Sequence, residues 1–558
     1  MYSNKENVNV LTALLVKHGV RYAVVCPGSR NAPIVHNLDV CPAITCFPVT
    51  DERSAGFYAL GICQQSGSPV VVCVTSGTAL LNVAPAIAEA AYQHLPLVLV
   101  SADRPRQWIG QLDGQTLPQP GALDLFVRRT VDLPEPHDEE SHWYCNRLVN
   151  EALIEAQRGS QGPVHINVPL TEPLYDFTIE RLPEERRIQL LSPLSSHGTA
   201  DCAAVVHPML ERLDLASRPL VVVGQMKPDS LPQGEIDRLR QEYPVFIESL
   251  GDQGPSLLDE VMEMVGDEEQ FLPDFIIYVG DTLVSKRAKA FLRHAKAAEC
   301  WVINPEGEVH DTFMNMTGVI QAQPRDGLAQ ITGHGNIAYA RIWKSLFVKA
   351  KRHLHDFHPD YSQLLAVKLL EERTKLQDPS SVIHYANSMS VRLGNIFSWH
   401  HIFCNRGVNG IEGSLSTAAG YSLVSKENVY CVIGDLSFFY DQNALWNQNL
   451  RGNLRIVLLN NGCGGIFSKF DGLRNSPARA NLVMASHHTT AEGICRENNI
   501  LYFAADHAVA LDNLMDTLVA TEVERPVLLE VFTDAERDMH VYQEYNQSLN
   551  TWKENGKK

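Results

Sequence analysis

Residues 429–465 read VYCVIGDLSFFYDQNALWNQNLRGNLRIVLLNNGCGG. The runs Val429–Ile433 and Ile456–Asn460 are apolar without alternation, and each ends in a polar turn, Gly434-Asp435 after the first and Asn460-Asn461 at the second. Such runs are strands covered on both faces, so the stretch predicts a parallel strand–helix–strand unit. A glycine directly after a buried strand lets the backbone approach a ligand closely. Asp435 then sets a hard oxygen at the strand end, Asn461 adds an amide oxygen, and Gly462-Cys463-Gly464-Gly465 offers accessible backbone groups. A Mg²⁺ site is built this way, from one or two carboxylates, neutral oxygens and the ligand's own phosphates. By themselves the same residues could also be an N-capping Asp followed by a Gly-rich turn.

The stretch has an echo near the start of the chain. Residues 70–104 read VVVCVTSGTALLNVAPAIAEAAYQHLPLVLVSADR, again strand, Gly turn, Asn-containing helix, strand and polar turn. Gly77 to Ser101 is 24 positions and Gly434 to Asn460 is 26. The two outer parts are therefore expected to be copies of one α/β fold. Their chemistry differs, because Thr78 stands where the later copy has Asp435.

The same alternation runs through the chain. Further candidate strands are Tyr22–Cys26, Val70–Thr75, Leu97–Ser101, Val164–Val168, Leu220–Val223, Phe275–Val279, Trp301–Asn304, Ile402–Cys404 and Val527–Phe532. Strands alternating with helices predict an α/β fold of three doubly wound parallel sheets, with ligand sites at the carboxyl ends of the strands. Linkers are expected near 175–200 and 324–363. They mark out domains at 1–180, 198–330 and 364–558, of which the first and third are the related pair. At 558 residues the chain is too long for one core.

Composition excludes several roles. A net charge of -18 argues against a general nucleic-acid or membrane-surface partner, both of which need a positive field. No apolar run approaches the length of a membrane span, and MYSNKENVNV lacks the apolar core of a secretory leader. The twelve cysteines show no zinc-type pairing. Free buried thiols are expected, in keeping with a reducing cytosol and a cytoplasmic location.

A second chemical element is Asp51-Glu52-Arg53, after the apolar stretch 43–49 and before a helix opening at Ala55-Gly56. In isolation it could be an N-cap alone. A Gly-Asp pair followed at this distance by Asn-Asn, however, resembles the thiamine diphosphate-binding motif, although Leu436 stands where Gly is usual. Enzymes of that superfamily need a carboxylate against the aminopyrimidine, a role the resemblance gives to Glu52. The cofactor then lies between the pyrimidine-binding domain of one subunit and the diphosphate-binding domain of another, which implies a homodimer or homotetramer with active sites at the interface.

Narrower motifs follow in order from about residue 8 to 535. They are VCPGSRNAP (25–33), TSGTA (75–79), SADRP (101–105), GQ (114–115), VSKR (284–287), NSMSVR (387–392), NRG (405–407), GIEG (410–413) and GIFS (465–468). Together they resemble the 2-succinyl-5-enolpyruvyl-6-hydroxy-3-cyclohexene-1-carboxylate synthases of menaquinone biosynthesis. PGSR, ADRP and NSMSVR are not general features of thiamine enzymes.

The resemblance implies a transferase that decarboxylates 2-oxoglutarate and adds the succinyl carbanion to isochorismate, with thiamine diphosphate and Mg²⁺ or Mn²⁺. Both substrates carry two carboxylates, which arginine is suited to bind. Ser29, Arg30, Arg104, Lys286, Ser388, Arg392 and Arg406 would then contact the reacting species, with Arg287 a further candidate and Gln115 near the reacting centre. Ile411 would sit beneath the bent cofactor, with Ile466 and Phe467 walling the pocket. Thr78, Gly434, Leu436, Ser437 and Gly465 would line the cofactor, and Asp435, Asn461 and the Cys463 carbonyl would bind the metal. Gly462-Cys463 departs from the acidic-or-Asn-then-Gly pair expected there, so Cys463 depends on a turn that tolerates its Cβ. The middle region lacks a GxGxxG and is expected to be structural. The rival reading is a carboligase of the acetohydroxyacid synthase kind, which acts on monocarboxylic keto acids and needs fewer cations.

Overall fold

The computed structural model describes residues 1–555 except 191–198, 253, 267, 332, 470, 474 and 521. Three wholly parallel sheets follow one another along the chain. The first contains β1 (Tyr22–Val25), β2 (Thr45–Pro48), β3 (Val70–Val74), β4 (Leu97–Asp103), β5 (Thr130–Asp132) and β6 (Val164–Pro169), in the order β2-β1-β3-β4-β6-β5. The middle sheet contains β7 (Pro219–Val223), β8 (Val245–Ile247), β9 (Phe275–Val279), β10 (Glu299–Asn304) and β11 (Met316–Gln321), in the order β11-β10-β9-β7-β8. The third contains β12 (Val382–Tyr385), β13 (Ile402–Phe403), β14 (Val429–Gly434), β15 (Leu454–Asn460), β16 (Leu501–Ala505) and β17 (Val527–Phe532), in the order β13-β12-β14-β15-β17-β16.

Counted from its own first strand, each outer sheet has the same order over six strands. This is the echo of the sequence carried through a whole fold, beyond one strand–helix–strand unit. The strands are apolar because helices cover both faces: every residue of β3 and β15 is buried.

The first and third sheets share one core. Val72, Leu99, Leu415, Ile433 and Leu458 belong to a single buried cluster. Helix Glu52–Ser66 packs along helix Ser414–Val424 in its centre, and Tyr58 Oη donates to the Ala444 carbonyl at 2.6 Å across the junction.

Of the two expected linkers, residues 191–198 of the first lie outside the described residues. Residues 175–190 hold no helix or extended strand and run along the first sheet, where Asn146 Nδ2 donates to the buried Glu185 at 2.6 Å. The second is not irregular. Its lysines and His355 lie on the outer face of helix Ile337–Asp356, whose Tyr339, Trp343 and Ala350 are buried on the middle sheet, and His353 is buried with them. Trp343 lies 4.8 Å from Phe246 between ring centroids.

The cysteines are free thiols, all buried except the half-buried Cys46. Among the described residues no helix is long and apolar enough to cross a membrane.

Candidate active site at the strand ends

Asp435 opens helix Asp435–Tyr440 directly after β14 and is 3% exposed. Its Oδ1 accepts from the Leu436 amide at 2.7 Å, and its Oδ2 accepts from the amides of Asn461 (3.2 Å) and Cys463 (3.1 Å). Burial pushes its carboxyl above the usual range, while the Leu436 amide, His487 at 3.5 Å from Oδ2, and the Gly462 and Cys463 amides act in the opposite direction. One carboxylate thus joins the two turns that the sequence placed 26 positions apart.

The side chain of Asn461 is oriented by Asp538, whose Oδ2 accepts from Asn461 Nδ2 at 3.1 Å. That leaves Asn461 Oδ1 as the atom available to a cation. Cys463 needs no unusual backbone, because Gly462 takes the left-handed conformation (φ 74°) immediately before it. The turn therefore tolerates the Cys463 Cβ. Among the described residues no three His, Cys, Asp or Glu side chains gather with metal-binding geometry. A cation here must draw on amide and backbone oxygens beside Asp435, a donor set that fits a hard divalent ion.

Gly465 and Phe467 close over this turn. A Cβ on Gly465 would lie 2.8 Å from Asn461 Nδ2, and one on Gly464 would lie 3.1 Å from the Phe467 ring. Gly465, Ile466 and Phe467 lie on a short 3₁₀ turn, half-buried. Ser437 Oγ donates to the carbonyl of Ile411, whose side chain is exposed. Leu436 lines an open cleft of about 890 Å³ with Phe439, Trp446 and His487.

At the first sheet, Asp51 is the N-cap of helix Glu52–Ser66, accepting from the amides of Arg53 (2.9 Å) and Ser54 (3.4 Å). Capping is therefore done by Asp51 and leaves Glu52 free of it. Glu52 Oε2 instead accepts from Asn82 Nδ2 at 3.0 Å. Thr78 begins the next helix and is exposed. Gln115 takes φ 56° and covers Gly77, where a Cβ would lie 3.2 Å from the Gln115 backbone. Buried Gln119, absent from the sequence reading, holds this arrangement: it accepts from Gly77 N at 2.7 Å and donates to Ala102 O at 3.0 Å.

The expected cations divide into two kinds. Arg30 is paired with Glu172 at 3.0 Å and Arg104 with Asp113 at 3.0 Å, while Ser29 lies exposed beside Arg30. Both arginines flank Asp103, whose carboxyl burial pushes up to about 6. Arg287 is paired with Glu263 at 3.0 Å and donates to Asn546, which turns it toward the C-terminal helix. By contrast, Lys286, Arg392 and Arg406 have no carboxylate within ion-pair distance among the described residues.

Arg406 is buried and donates to Asn387 Oδ1 at 3.1 Å. Ser388 follows with φ 75°, a left-handed conformation uncommon for a side chain other than Gly, Asn or Asp, and starts the helix that carries Arg392. Lys289, which the sequence reading missed, joins this group. Its ammonium is pushed below the ordinary range first by burial and then by Arg406, with Arg293 and Arg392 adding to the effect and Glu248 opposing it. Nothing in the run KRAKAFLRH distinguishes Lys289 from a solvated helix lysine. No hydrogen bond or ion pair among the described residues joins the Arg30–Arg104 group to the Arg392–Arg406 group.

Comparison with known proteins bears on both groups. Residues 6–123 match the family described as "Thiamine pyrophosphate enzyme, N-terminal TPP binding domain". Curated proteins named 2-succinyl-5-enolpyruvyl-6-hydroxy-3-cyclohexene-1-carboxylate synthase are similar over almost the whole chain. The one from Bacteroides fragilis is 43% identical, covering 98% of this chain and 100% of its own length. The one from Bacteroides thetaiotaomicron is 42% identical with the same coverage, and that from Porphyromonas gingivalis is 35% identical over 98% and 97%. Glu52, the Asp435–Cys463 turn and the basic motifs all fall within that shared length, and the chain belongs to the 2-succinyl-5-enolpyruvyl-6-hydroxy-3-cyclohexene-1-carboxylate synthase family.

Proposed function

We propose that the protein joins the four-carbon unit left when 2-oxoglutarate loses CO₂ to isochorismate, giving 2-succinyl-5-enolpyruvyl-6-hydroxy-3-cyclohexene-1-carboxylate for menaquinone biosynthesis. Thiamine diphosphate, when bound, supplies the electron sink that lets a 2-oxo acid lose CO₂ and react as an acyl nucleophile. Asp435, Asn461 and the Cys463 carbonyl would hold the divalent cation, Mg²⁺ or Mn²⁺, that the cofactor's diphosphate needs. Glu52, its carboxylate held by Asn82 Nδ2 at 3.0 Å, would serve as the acid–base group toward the cofactor's pyrimidine ring. Gln115, on its left-handed backbone, presents its amide near the reacting carbon.

The observation that carries the substrate class is the group of cations without an ion pair among the described residues, the buried Arg406 and the half-buried Lys289 and Arg392, with the exposed Lys286 on the same helix as Lys289. A buried or half-buried cation without a counter-ion is costly in a free protein and is compensated when a ligand carboxylate arrives. Arg30 and Arg104 already have acidic partners and exchange them for substrate. The two groups lie at the ends of separate sheets, and the family resemblance implies a homodimer or homotetramer whose active sites, assembled between subunits, would bring them to one substrate. We take the chain as domains 1–180, 198–330 and 364–558, the middle one positioning Lys286 and Lys289. The free buried thiols fit a cytoplasmic enzyme.

The test is one assay with thiamine diphosphate, Mg²⁺, 2-oxoglutarate and isochorismate, following isochorismate loss. Turnover with 2-oxoglutarate and little with pyruvate is the expected result. Equal use of pyruvate, or no turnover by folded, cofactor-loaded protein, rules the substrate assignment out.

A further inference from the structure

Residues 404–413 form the loop that carries Arg406 and Ile411, and it is gripped from two sides. On one side is Asn387, at the end of β12. Its Nδ2 donates to the carbonyls of Asn405 (2.5 Å) and Gly410 (2.6 Å), and its Oδ1 accepts from Arg406. On the other side is Glu89, from helix Ala84–Tyr92 of the first sheet. Its two carboxylate oxygens accept from consecutive loop amides, Gly407 N at 2.8 Å and Val408 N at 2.7 Å. Glu89 is 3% exposed, and its third donor is Gln93 Nε2 at 2.5 Å. Gly407 makes this approach possible, since a Cβ there would lie 2.8 Å from Tyr92 Cβ and 3.0 Å from Glu89 O. Asn409, at φ 72°, then turns the loop back.

A buried carboxylate spent on backbone amides is an expensive way to pin a loop, and a cation next to the pinned residues gives it a purpose. The Arg406 guanidinium is buried with no ion pair among the described residues, and its Nε has no hydrogen-bond partner there. A free arginine would swing toward water. Here the backbone at 407–408 and one terminal nitrogen are both fixed, so the guanidinium is held for an incoming group at a reduced ordering cost.

We infer that Glu89 is a positioning residue, which acts through the Gly407 and Val408 amides to hold Arg406 ready for a substrate carboxylate. The inference rests on Arg406 being a substrate ligand. It also means that the first sheet of a chain sets the substrate contact on the third sheet of that same chain.

The test is a double-mutant cycle on the cofactor-loaded, full-length enzyme with E89Q, R406A and the pair. Glutamine keeps the volume of Glu89 but offers one acceptor and turns an NH₂ toward the second amide. R406A is expected to raise KM for one of the two dicarboxylic substrates. E89Q raises the same KM about tenfold, the worth of one charge-assisted hydrogen bond, with kcat little changed. On the R406A background E89Q has almost no further effect. Hydrogen exchange across 404–413 is faster in E89Q, while the melting temperature stays close to that of the parent. G407A, which pushes the loop off helix Ala84–Tyr92, gives the same KM shift by a second route. If E89Q and R406A multiply, or if folded E89Q leaves KM and loop exchange unchanged, the inference is overturned while the site reading stands. If R406A leaves both KM values unchanged, Arg406 is not a substrate ligand and both readings fall.

Discussion

Gly61 and Gly420 face each other's helix backbone where helix Glu52–Ser66 crosses helix Ser414–Val424. A Cβ on Gly61 would lie 2.0 Å from Thr417 O, and one on Gly420 would lie 2.1 Å from Tyr58 O. Neither helix can yield, because both are packed between the two outer sheets. Gly61→Ala is therefore expected to destabilise the protein by about 1–3 kcal/mol or more through overpacking, read as a lower denaturant midpoint. Gly234→Ala is the control, since a Cβ there meets nothing within 4 Å inside a helix. That change should leave the midpoint unchanged or raise it slightly.

Glu52→Gln separates chemistry from binding. Asn82 can still donate to the remaining oxygen, so the fold and cofactor affinity are expected to persist. kcat should fall about 10²–10⁴-fold, the usual worth of positioned acid–base assistance. Unchanged kcat would remove Glu52 from the chemistry.

The metal turn gives a graded pair. Asp435→Ala removes the carboxylate that joins the β14 and β15 turns, and Mg²⁺-dependent thiamine diphosphate binding should be lost in calorimetry. Asp538→Asn leaves every oxygen donor in place but loosens the hold on Asn461 Nδ2. Its cofactor affinity should fall about 10–100-fold, as for other groups that orient ligands from behind. Full affinity in Asp435→Ala would exclude this turn as the metal site.

Arg392→Ala and Lys289→Ala address substrate charge. Each removes a cation from the group around Arg406, and each should raise KM for a dicarboxylic substrate by about tenfold or more, as expected for hydrogen bonds to charged groups. Arg287→Ala, whose guanidinium pairs with Glu263, should leave KM within about twofold, the scale of a partly exposed ion pair. Steady-state kinetics with 2-oxoglutarate and isochorismate varied in turn distinguish the three.

A pH effect on stability is expected from Glu260. Fully buried against the C-terminal helix, it accepts from Tyr545 Oη at 2.8 Å, and its carboxyl is pushed up to about 7, first by burial and then by Asp259. A raised carboxyl pKa means the folded state holds its proton more tightly than the unfolded chain. The stability this provides is complete below pH 4.5 and is lost as pH rises through about 7. Glu260→Gln keeps an acceptor for Tyr545 and cannot ionise. The variant should gain on the parent by on the order of 2 kcal/mol between pH 5 and pH 8, seen as diverging melting temperatures. Parallel curves would mean Glu260 does not titrate there.

What the sequence made legible follows from burial. β3 and β9 are apolar on both faces and stood out as uninterrupted runs, as did Ile456–Leu459 within β15. β5 (TVD) and β11 (MTGVIQ) are edge strands covered less completely, so their residues are mixed and carry no such signal. The Asp435 and Asn461 turns were readable because strand ends fix their spacing. Gln119, Asp538 and Glu89 were not, since each reaches the site from a distant element through one or two hydrogen bonds that leave no local pattern. Helix Ile337–Asp356 was read as a linker because its exposed face outweighs the few residues, Trp343 above all, that bury it.

The core shared by the outer sheets has a consequence during synthesis. Tyr58 and Gly61 leave the ribosome roughly 360 residues before Thr417 and Gly420, their packing partners. At about 5–20 residues per second, the apolar face of helix Glu52–Ser66 waits on the order of tens of seconds for its cover. Until then the first third of the nascent chain presents an uncovered apolar helix to its surroundings, a surface open to non-native contacts.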